Sequence, residues 1–163
     1  MPLPDLVLRA FVPADTPAIC QLYAATTRAI NGQHYTSAQV ERWAGFAADQ
    51  EGWCTRLGRN RTIVADLNGL IVGFAELEPA DEVGYVYVDA QRQGQGIGTR
   101  LMRRLLLIAA EGTATQLHAD VSISAMPFFA AQGFTVVART EPIVCGAAAP
   151  RYRMTCAVPS PPA

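Results

Sequence analysis

Three glycines at alternate positions occur in Gln93-Gly94-Gln95-Gly96-Ile97-Gly98-Thr99-Arg100. They lie between a β-branched apolar run, Val83 to Val88, and an amphipathic run that begins at Ile97. Residues without side chains let a backbone come close to a phosphate. The free N–H groups of a first helical turn then point at the anion, and the helix dipole favours its charge. The chemistry this pattern predicts is capture of a polyanion by backbone; a tight turn without a ligand is the plain alternative. A phosphate loop of the Gly-Lys-Ser/Thr kind is excluded, because the chain has no lysine. A dinucleotide site asks for Gly-x-Gly-x-x-Gly. Here Thr99 stands at the third glycine, although Asp120 lies further on as a ribose-binding acid would.

Gln93-x-x-Gly96-x-Gly98 resembles the Q/R-x-x-G-x-G/A signature of the GNAT superfamily of acyl-CoA N-acyltransferases, with Val86-Tyr87-Val88-Asp89 before it and Leu101 after it. About thirty residues on, the stretch from Ser122 to Phe134 is similar to the family's second cofactor motif, N-x-x-A-x-x-[L/F]-Y-x-x-x-G-F. Gln33-His34-Tyr35-Thr36, Ser122 to Phe129 and Val144-Cys145-Gly146 resemble its YafP-type branch. The resemblance implies an α/β (α+β) fold: a central mixed, mostly antiparallel sheet, splayed at the cofactor site and flanked by helices. It implies acetyl-CoA (coenzyme A) as cofactor. Val86, Tyr87 and Val88 would pair with the pantetheine arm. Gln93, Gly94, Gln95, Gly96, Ile97, Gly98 and Thr99 would hold the pyrophosphate. Arg92, Arg100, Arg103 or Arg104 would meet the 3′-phosphate, and Ser122 and Phe129 complete the set. The activity implied is direct transfer of an acetyl group to an amine of a small molecule or peptide.

In many members a tyrosine of the second motif protonates the leaving sulfur. Phe129 stands at that position and has no proton to give. A thiol pKa near ~8.5 makes the thiolate a fair leaving group, so an acid helps without being obligatory. Tyr35, Ser122, Ser124 and Cys145 are the candidate replacements. The candidate bases are Glu76, Glu82 and His34, of which His34 has the most suitable intrinsic pKa. Glu76 and Glu78, two apart in a strand, share a face, which for carboxylates is commonly a solvated one. Tyr35, Trp43 and Trp53 are candidate walls of an acceptor pocket, or core aromatics. Phe129 also motivates an alternative function, a non-catalytic acyl-CoA-binding or sensor module. A nucleotide-binding oxidoreductase domain is the third reading.

The elements that must position these residues are legible in outline. Leu6 to Phe11 reads as a strand. Asp15 and Pro17 open a helix that Asn31-Gly32 stops, and Thr36-x-x-Gln39 is a capping box for a second. Asp49 to Leu57 reads as a short turn or two ending at Gly58. Thr62 to Ala65 and Leu70 to Leu77 are strands joined by an Asn68-Gly69 hairpin signal, and Val83 to Val88 adds a third. Ile97, Leu101, Met102, Leu105 and Ile108 form the apolar face of a strong helix. Leu117 to Val121 is a strand, Ala125 to Gln132 a helix stopped by Gly133, and Phe134 to Ala138 and Arg151 to Ala157 are closing strands. This order predicts a mixed sheet in place of a purely doubly wound one.

Composition bounds the rest. The 163 residues suit one domain, 1–163, with a tail at 159–163 expected to fray. Half the residues are hydrophobic and the net charge is −1, which argues against disorder. All 13 basic residues are arginine and are balanced by 14 acids, so there is no electrostatic footprint for nucleic acid or a membrane surface. No apolar run reaches transmembrane length, and the first ten residues lack a basic leader pattern. Cys20, Cys54, Cys145 and Cys156 form no C-x-x-C pair, so no metal site is expected, and reduced thiols in a cytoplasmic protein are. A homodimer is compatible with the family.

Overall fold

The computed structural model describes residues 3–160. Seven strands form one sheet: β1 (Leu6–Ala10), β2 (Arg61–Leu67), β3 (Leu70–Glu78), β4 (Glu82–Val88), β5 (Gln116–Ser122), β9 (Arg151–Ala157) and β6 (Thr135–Thr140), in that spatial order. All neighbours are antiparallel except β4 and β5, which run parallel and touch in register only at Glu82 and His118. Helices α1 (Thr16–Asn31), α2 (Ser37–Ala44) and α3 (Gln50–Arg59) precede β2, α4 (Ile97–Glu111) follows β4, and α5 (Met126–Ala131) follows β5.

Each face of the sheet is closed by a helix whose apolar stripe the sequence supplies. Ile97, Leu101, Met102, Leu105 and Ala109 of α4 pack with Phe129 of α5 on Ala75, Leu77, Val83, Leu117 and Val121. Burying a Leu or Ile of this kind contributes about 1.5–3 kcal/mol. Gly73 admits α4 closely, since a Cβ there would stand 3.2 Å from Leu101 and 3.3 Å from Ile97. On the opposite face Ile19, Leu22 and Tyr23 of α1 and Trp53 and Leu57 of α3 cover Val64 and Phe74.

β4 carries the irregularity that shapes the site. Glu76 pairs with Tyr85 and Leu77 with Val83, so Gly84 is an extra residue on β4, a β-bulge. The bulge reverses the alternation, so Val83 packs under α4 whereas Tyr85 turns to the α1 face. It also bends β4, and beyond it β4 and β5 no longer pair.

Several expectations change in detail. Asp49 to Leu57 is not a turn or two: α3 runs to Arg59 through Gly58, capped by Asp49, whose carboxylate accepts from Gly52 N–H at 2.9 Å. Trp53 and Leu57, one helical turn apart, bury its inner face and carry it past the glycine. Asp15 sits at the N-cap position of α1 without capping it; its carboxylate takes Arg9 and the Val12 N–H. The last hairpin, β7 (Ile143–Val144) with β8 (Ala147–Ala148), escaped notice because each strand has two residues. Its turn is Cys145-Gly146 with both φ positive, as at Asn68-Gly69. Pro159 and Ser160 at the chain end are exposed and irregular; the remainder of the expected frayed tail lies outside the described residues.

Candidate functional site

The turn after β4 uses glycine for two different reasons. Gly94 and Gly96 hold φ of +74° and +81°, a region that costs a residue with a side chain roughly 1–2 kcal/mol. A Cβ on either would project into open space. Gly98 has an ordinary backbone, but a Cβ there would stand 3.0 Å from the Phe128 ring, so it lets α5 lie against α4. Gly96 is the N-cap of α4 and brings no side chain to it, which leaves the first amides of a 15-residue helix uncapped. Gln93 fastens the turn by donating from Nε2 to the Val88 carbonyl at 2.7 Å. Gln132 Nε2 donates to Thr99 Oγ1 at 3.1 Å, and Arg92 stands 3.9 Å from Asp89.

This turn opens into a cleft of about 560 Å³ along the gap between β4 and β5. Val86 and Val88 form one side of it, and Ser122, Ala125, Phe128 and Phe129 the other. Asp89 N–H donates to the Val72 carbonyl, while the Val88 carbonyl accepts from Gln93 and, at 3.4 Å, from Thr26 Oγ1. By the alternation of an antiparallel ladder, the peptides of Val86 and Val88 therefore turn from β3 into the gap. An extended, amide-bearing chain fits there as a surrogate strand, with its anionic end at the helix. Phe129 is buried and packs edge-on against Phe134 and Phe128, at 5.1 and 5.6 Å between ring centres.

The far wall of the cleft is aromatic. Tyr23 stands 5.7 Å from Tyr85 and 5.0 Å from Tyr87, and Trp43 meets Tyr35 edge-on at 4.8 Å. Burial pushes the Tyr87 phenol up to about 12 and moves those of Tyr23, Tyr35 and Tyr85 in the same direction. These phenols are neutral donors near neutral pH. Burial thus makes Tyr87 a weaker acid than a free tyrosine.

The residues singled out in the sequence divide sharply. Val86, Tyr87, Val88, Gln93, Gly94, Gly96, Ile97, Gly98, Thr99, Ser122 and Phe129 all line the cleft, whereas Gln95 does not. Arg100 turns away, donating from Nη2 to the Leu6 carbonyl at 3.0 Å. Arg103 and Arg104 are exposed outside the cleft lining, which leaves Arg92 as the cation at the turn.

Glu76 is not on a solvated face. It is fully buried, with Arg56 Nε at 2.9 Å, Arg56 Nη2 at 2.8 Å and Asn60 Nδ2 at 2.6 Å. Arg56 also donates to Glu78 at 2.9 Å, and this bond holds Glu78 at the cleft edge. A Cβ on Gly84 would collide with both carboxylates, so glycine at the bulge makes room for them. Glu82 does reach the cleft, ion-paired to Arg153. His34 is exposed in the α1–α2 turn, outside the lining.

The Tyr35 hydroxyl is already engaged. It donates to the Pro150 carbonyl at 2.7 Å and accepts from Ile123 N–H at 2.9 Å, tying three segments together. Ser122 Oγ accepts from Ala125 N–H, Ser124 Oγ donates to Asn31 Oδ1, and Cys145 is exposed on the small hairpin. Trp53 is core, its indole N–H on the Phe46 carbonyl. Tyr23, which the sequence places on the apolar stripe of the first helix with Ile19 and Leu22, also lines the cleft, as do Arg56 and Arg151, which the sequence does not mark as site residues. One signal was available for Arg151: the alternation of Arg151 and Arg153 puts both on the strand face that carries Asp120 and Ser122 of β5.

Among the described residues, no helix is long and apolar enough to cross a membrane. Residues 31–156 match the acetyltransferase (GNAT) domain family. An uncharacterized N-acetyltransferase of Escherichia coli, YafP, is 28% identical over 134 residues, 82% of this chain and 83% of that one. A GCN5-related N-acetyltransferase structure from Rhodopseudomonas palustris superposes with a TM-score of 0.89 at 29% identity, covering 96% of this chain and 98% of the other. The PaiA N-acetyltransferase of Thermoplasma acidophilum, solved in complex with coenzyme A, shares the fold: TM-score 0.78, 16% identity, 93% and 98% coverage.

Proposed function

The chain belongs to the GNAT acetyltransferase family, and we propose that it moves an acetyl group from acetyl-CoA directly to the amine of a small molecule or peptide bound in the same cleft. The observation that carries this reading is the uncapped start of α4, which meets the gap where β4 and β5 part. The amides from Gln93 to Thr99, with Arg92 beside them, would hold the pyrophosphate of the cofactor. The peptides of Val86 and Val88 would pair with its pantetheine arm, and Phe128 and Phe129 would pack on the other side of that arm.

In the reaction the amine nitrogen attacks the thioester carbonyl and the C–S bond breaks. A backbone N–H of β4 directed at the thioester oxygen supports the charge that develops there. The thiolate leaves, and the proton lost by nitrogen balances it directly or through solvent. Among the sequence's candidate bases, Glu82 is the one on the cleft wall, and it serves through water. Holding both substrates in one cleft supplies the remainder of the rate enhancement.

Calorimetric titration with acetyl-CoA, followed by mass spectrometry of products from an amine panel, tests this reading. Micromolar binding and N-acetylated products support it; no binding of acetyl-CoA or coenzyme A overturns it. Binding without turnover of any amine favours the alternative that Phe129 suggests, an acyl-CoA-binding module. We extend the proposal to one catalytic domain acting in the cytoplasm, which its four free thiols suit. We also propose a homodimer through the open edge of β6, where Val136 and Val137 are exposed; light scattering at the monomer mass would refute it.

A further inference from the structure

The half of the cleft that the cofactor leaves free combines an aromatic and aliphatic wall with the charged side chains of Arg56, Glu78, Glu82, Asp120 and Arg151. Tyr23 and Ile30 of α1, Trp43 of α2, Phe46 and Tyr85 wall it. Three arginines line the cleft as a whole. Arg56 is neutralised by Glu76 and Glu78, and Arg92 lies 3.9 Å from Asp89. Arg151 has no carboxylate within 4.0 Å among the described residues, because its neighbour Arg153 takes both Glu82 and Asp120. Among the described residues, Arg151 Nη2 donates only to the Asp120 backbone carbonyl, at 3.2 Å, and its buried Nε has no partner. Its charge is felt by Tyr23, Tyr35, Tyr85 and Tyr87, four neutral phenols that cannot balance it.

Its height in the cleft is fixed by register. Arg151 pairs with Ser122, and the single β4–β5 bridge joins Glu82 to His118. Four residues further along β5, and allowing for the extra residue of the Gly84 bulge on β4, Ser122 lies near the level of Val86 and Tyr87. Arg151 therefore stands beside the point where acetyl transfer takes place, and short of the glycine turn that takes the phosphates. A half-buried guanidinium without a counter-charge is costly and favours an anion, which its planar fork binds in two places when that anion is a carboxylate. The pantetheine arm and the thioester carry no charge, so the cofactor does not supply one at this height.

We propose that Arg151 binds a carboxylate of the acceptor, and that the acceptor is an amino acid with an apolar or aromatic side chain. This rests on the acetyl-transfer reading above and adds the substrate class to it. In an α-amino acid two bonds separate the nitrogen from the carboxyl carbon. Anchoring the carboxylate on Arg151 thus presents the nitrogen to the thioester, while the side chain enters the Tyr23–Trp43–Phe46 wall. The products are the N-acetylamino acid and the free thiol of coenzyme A, with the proton lost by nitrogen balancing the thiolate.

The test compares the common amino acids, their carboxamides and the simple amines that lack the carboxyl group, each with acetyl-CoA, on the native chain and on Arg151→Gln and Arg151→Lys. The native chain should favour an apolar or aromatic amino acid over its carboxamide by more than about tenfold in kcat/KM, a typical weight for one charged hydrogen-bonded contact. Arg151→Gln should bring that ratio near one, chiefly through KM of the amino acid, with acetyl-CoA affinity by calorimetry held within about threefold. Arg151→Lys should retain part of the preference. Equal use of acid and amide by the native chain overturns the proposal, as does turnover of simple amines and of no amino acid. A fall in kcat that is uniform across all acceptors also overturns it, by placing Arg151 on the thioester. Acetyl-CoA binding with no amine turned over defeats the transfer reading itself and is a separate outcome.

Discussion

Replacing Glu76 by glutamine separates two roles that a carboxylate in the middle of this sheet can have. Glu76 is fully buried and accepts from Arg56 Nε and Nη2 and from Asn60 Nδ2, at 2.9, 2.8 and 2.6 Å. Removing one partner of a buried ion pair costs about 3–5 kcal/mol. Glutamine keeps one carbonyl oxygen, and Glu78 still holds Arg56 at 2.9 Å, so the expected loss falls to about 2–3 kcal/mol. At roughly 2–4 °C per kcal/mol for a chain of this size, Tm should drop by about 4–12 °C. Turnover measured where the variant is fully folded should stay within a few-fold of native, because Glu76 does not line the cleft. Urea unfolding and acetyl-CoA turnover on the same preparation supply both numbers. A Tm within about 1 °C of native, together with a loss of kcat beyond about a hundredfold, would make Glu76 the base and refute the structural assignment.

Gly96→Val should lower stability by about 1–2 kcal/mol through its left-handed backbone and weaken coenzyme A binding more than tenfold, read by calorimetry, since its side chain projects over the open helix start. Stability should also fall at high pH. The folded pKa of Tyr87 is raised, so its contribution is whole below about pH 10 and is lost as pH rises towards 12. A two-unit shift is worth about 2.7 kcal/mol, and Tyr87→Phe should flatten this limb in urea midpoints followed against pH. Asp15→Asn should act at the opposite end. Arg9 lowers the Asp15 pKa, so its stabilisation is present above about pH 4 and lost below it. The variant should be less stable at neutral pH and show a shallower acid limb.

The parts of the fold that local chemistry dictates were legible. The Asn68-Gly69 turn has both φ positive, Thr36 and Gln39 form the reciprocal cap of α2, and of the expected apolar stripe Ile97, Leu101, Met102 and Leu105 are buried while Ile108 is half-buried and Ala109 closes the face. The anion cradle was legible for the same reason: Gly94 and Gly96 are needed for their backbone alone. Charges were harder, because their state depends on elements distant in sequence. Glu76 and Glu78 read as a solvated pair until α3 brings Arg56 and Asn60 over them and the Gly84 bulge clears the space. Arg100 read as a phosphate ligand until β1 supplies a carbonyl. Tyr35 read as an acid, yet Pro150 and Ile123 take up its hydroxyl. The alternation of Arg151 and Arg153 marks one face of β9, but only the pairing of β5 with β9 turns that face to the cleft, and among the described residues no carboxylate stands within 4.0 Å of Arg151.

The most direct measurement is a backbone amide NMR titration of the native chain with acetyl-CoA. The account predicts saturable shifts concentrated in Val86 to Thr99 and Ser122 to Phe129, with the Gly112–Thr113 turn after α4, at the other end of the sheet, unmoved. No saturable binding, or shifts centred away from the β4–β5 gap and the start of α4, would contradict it.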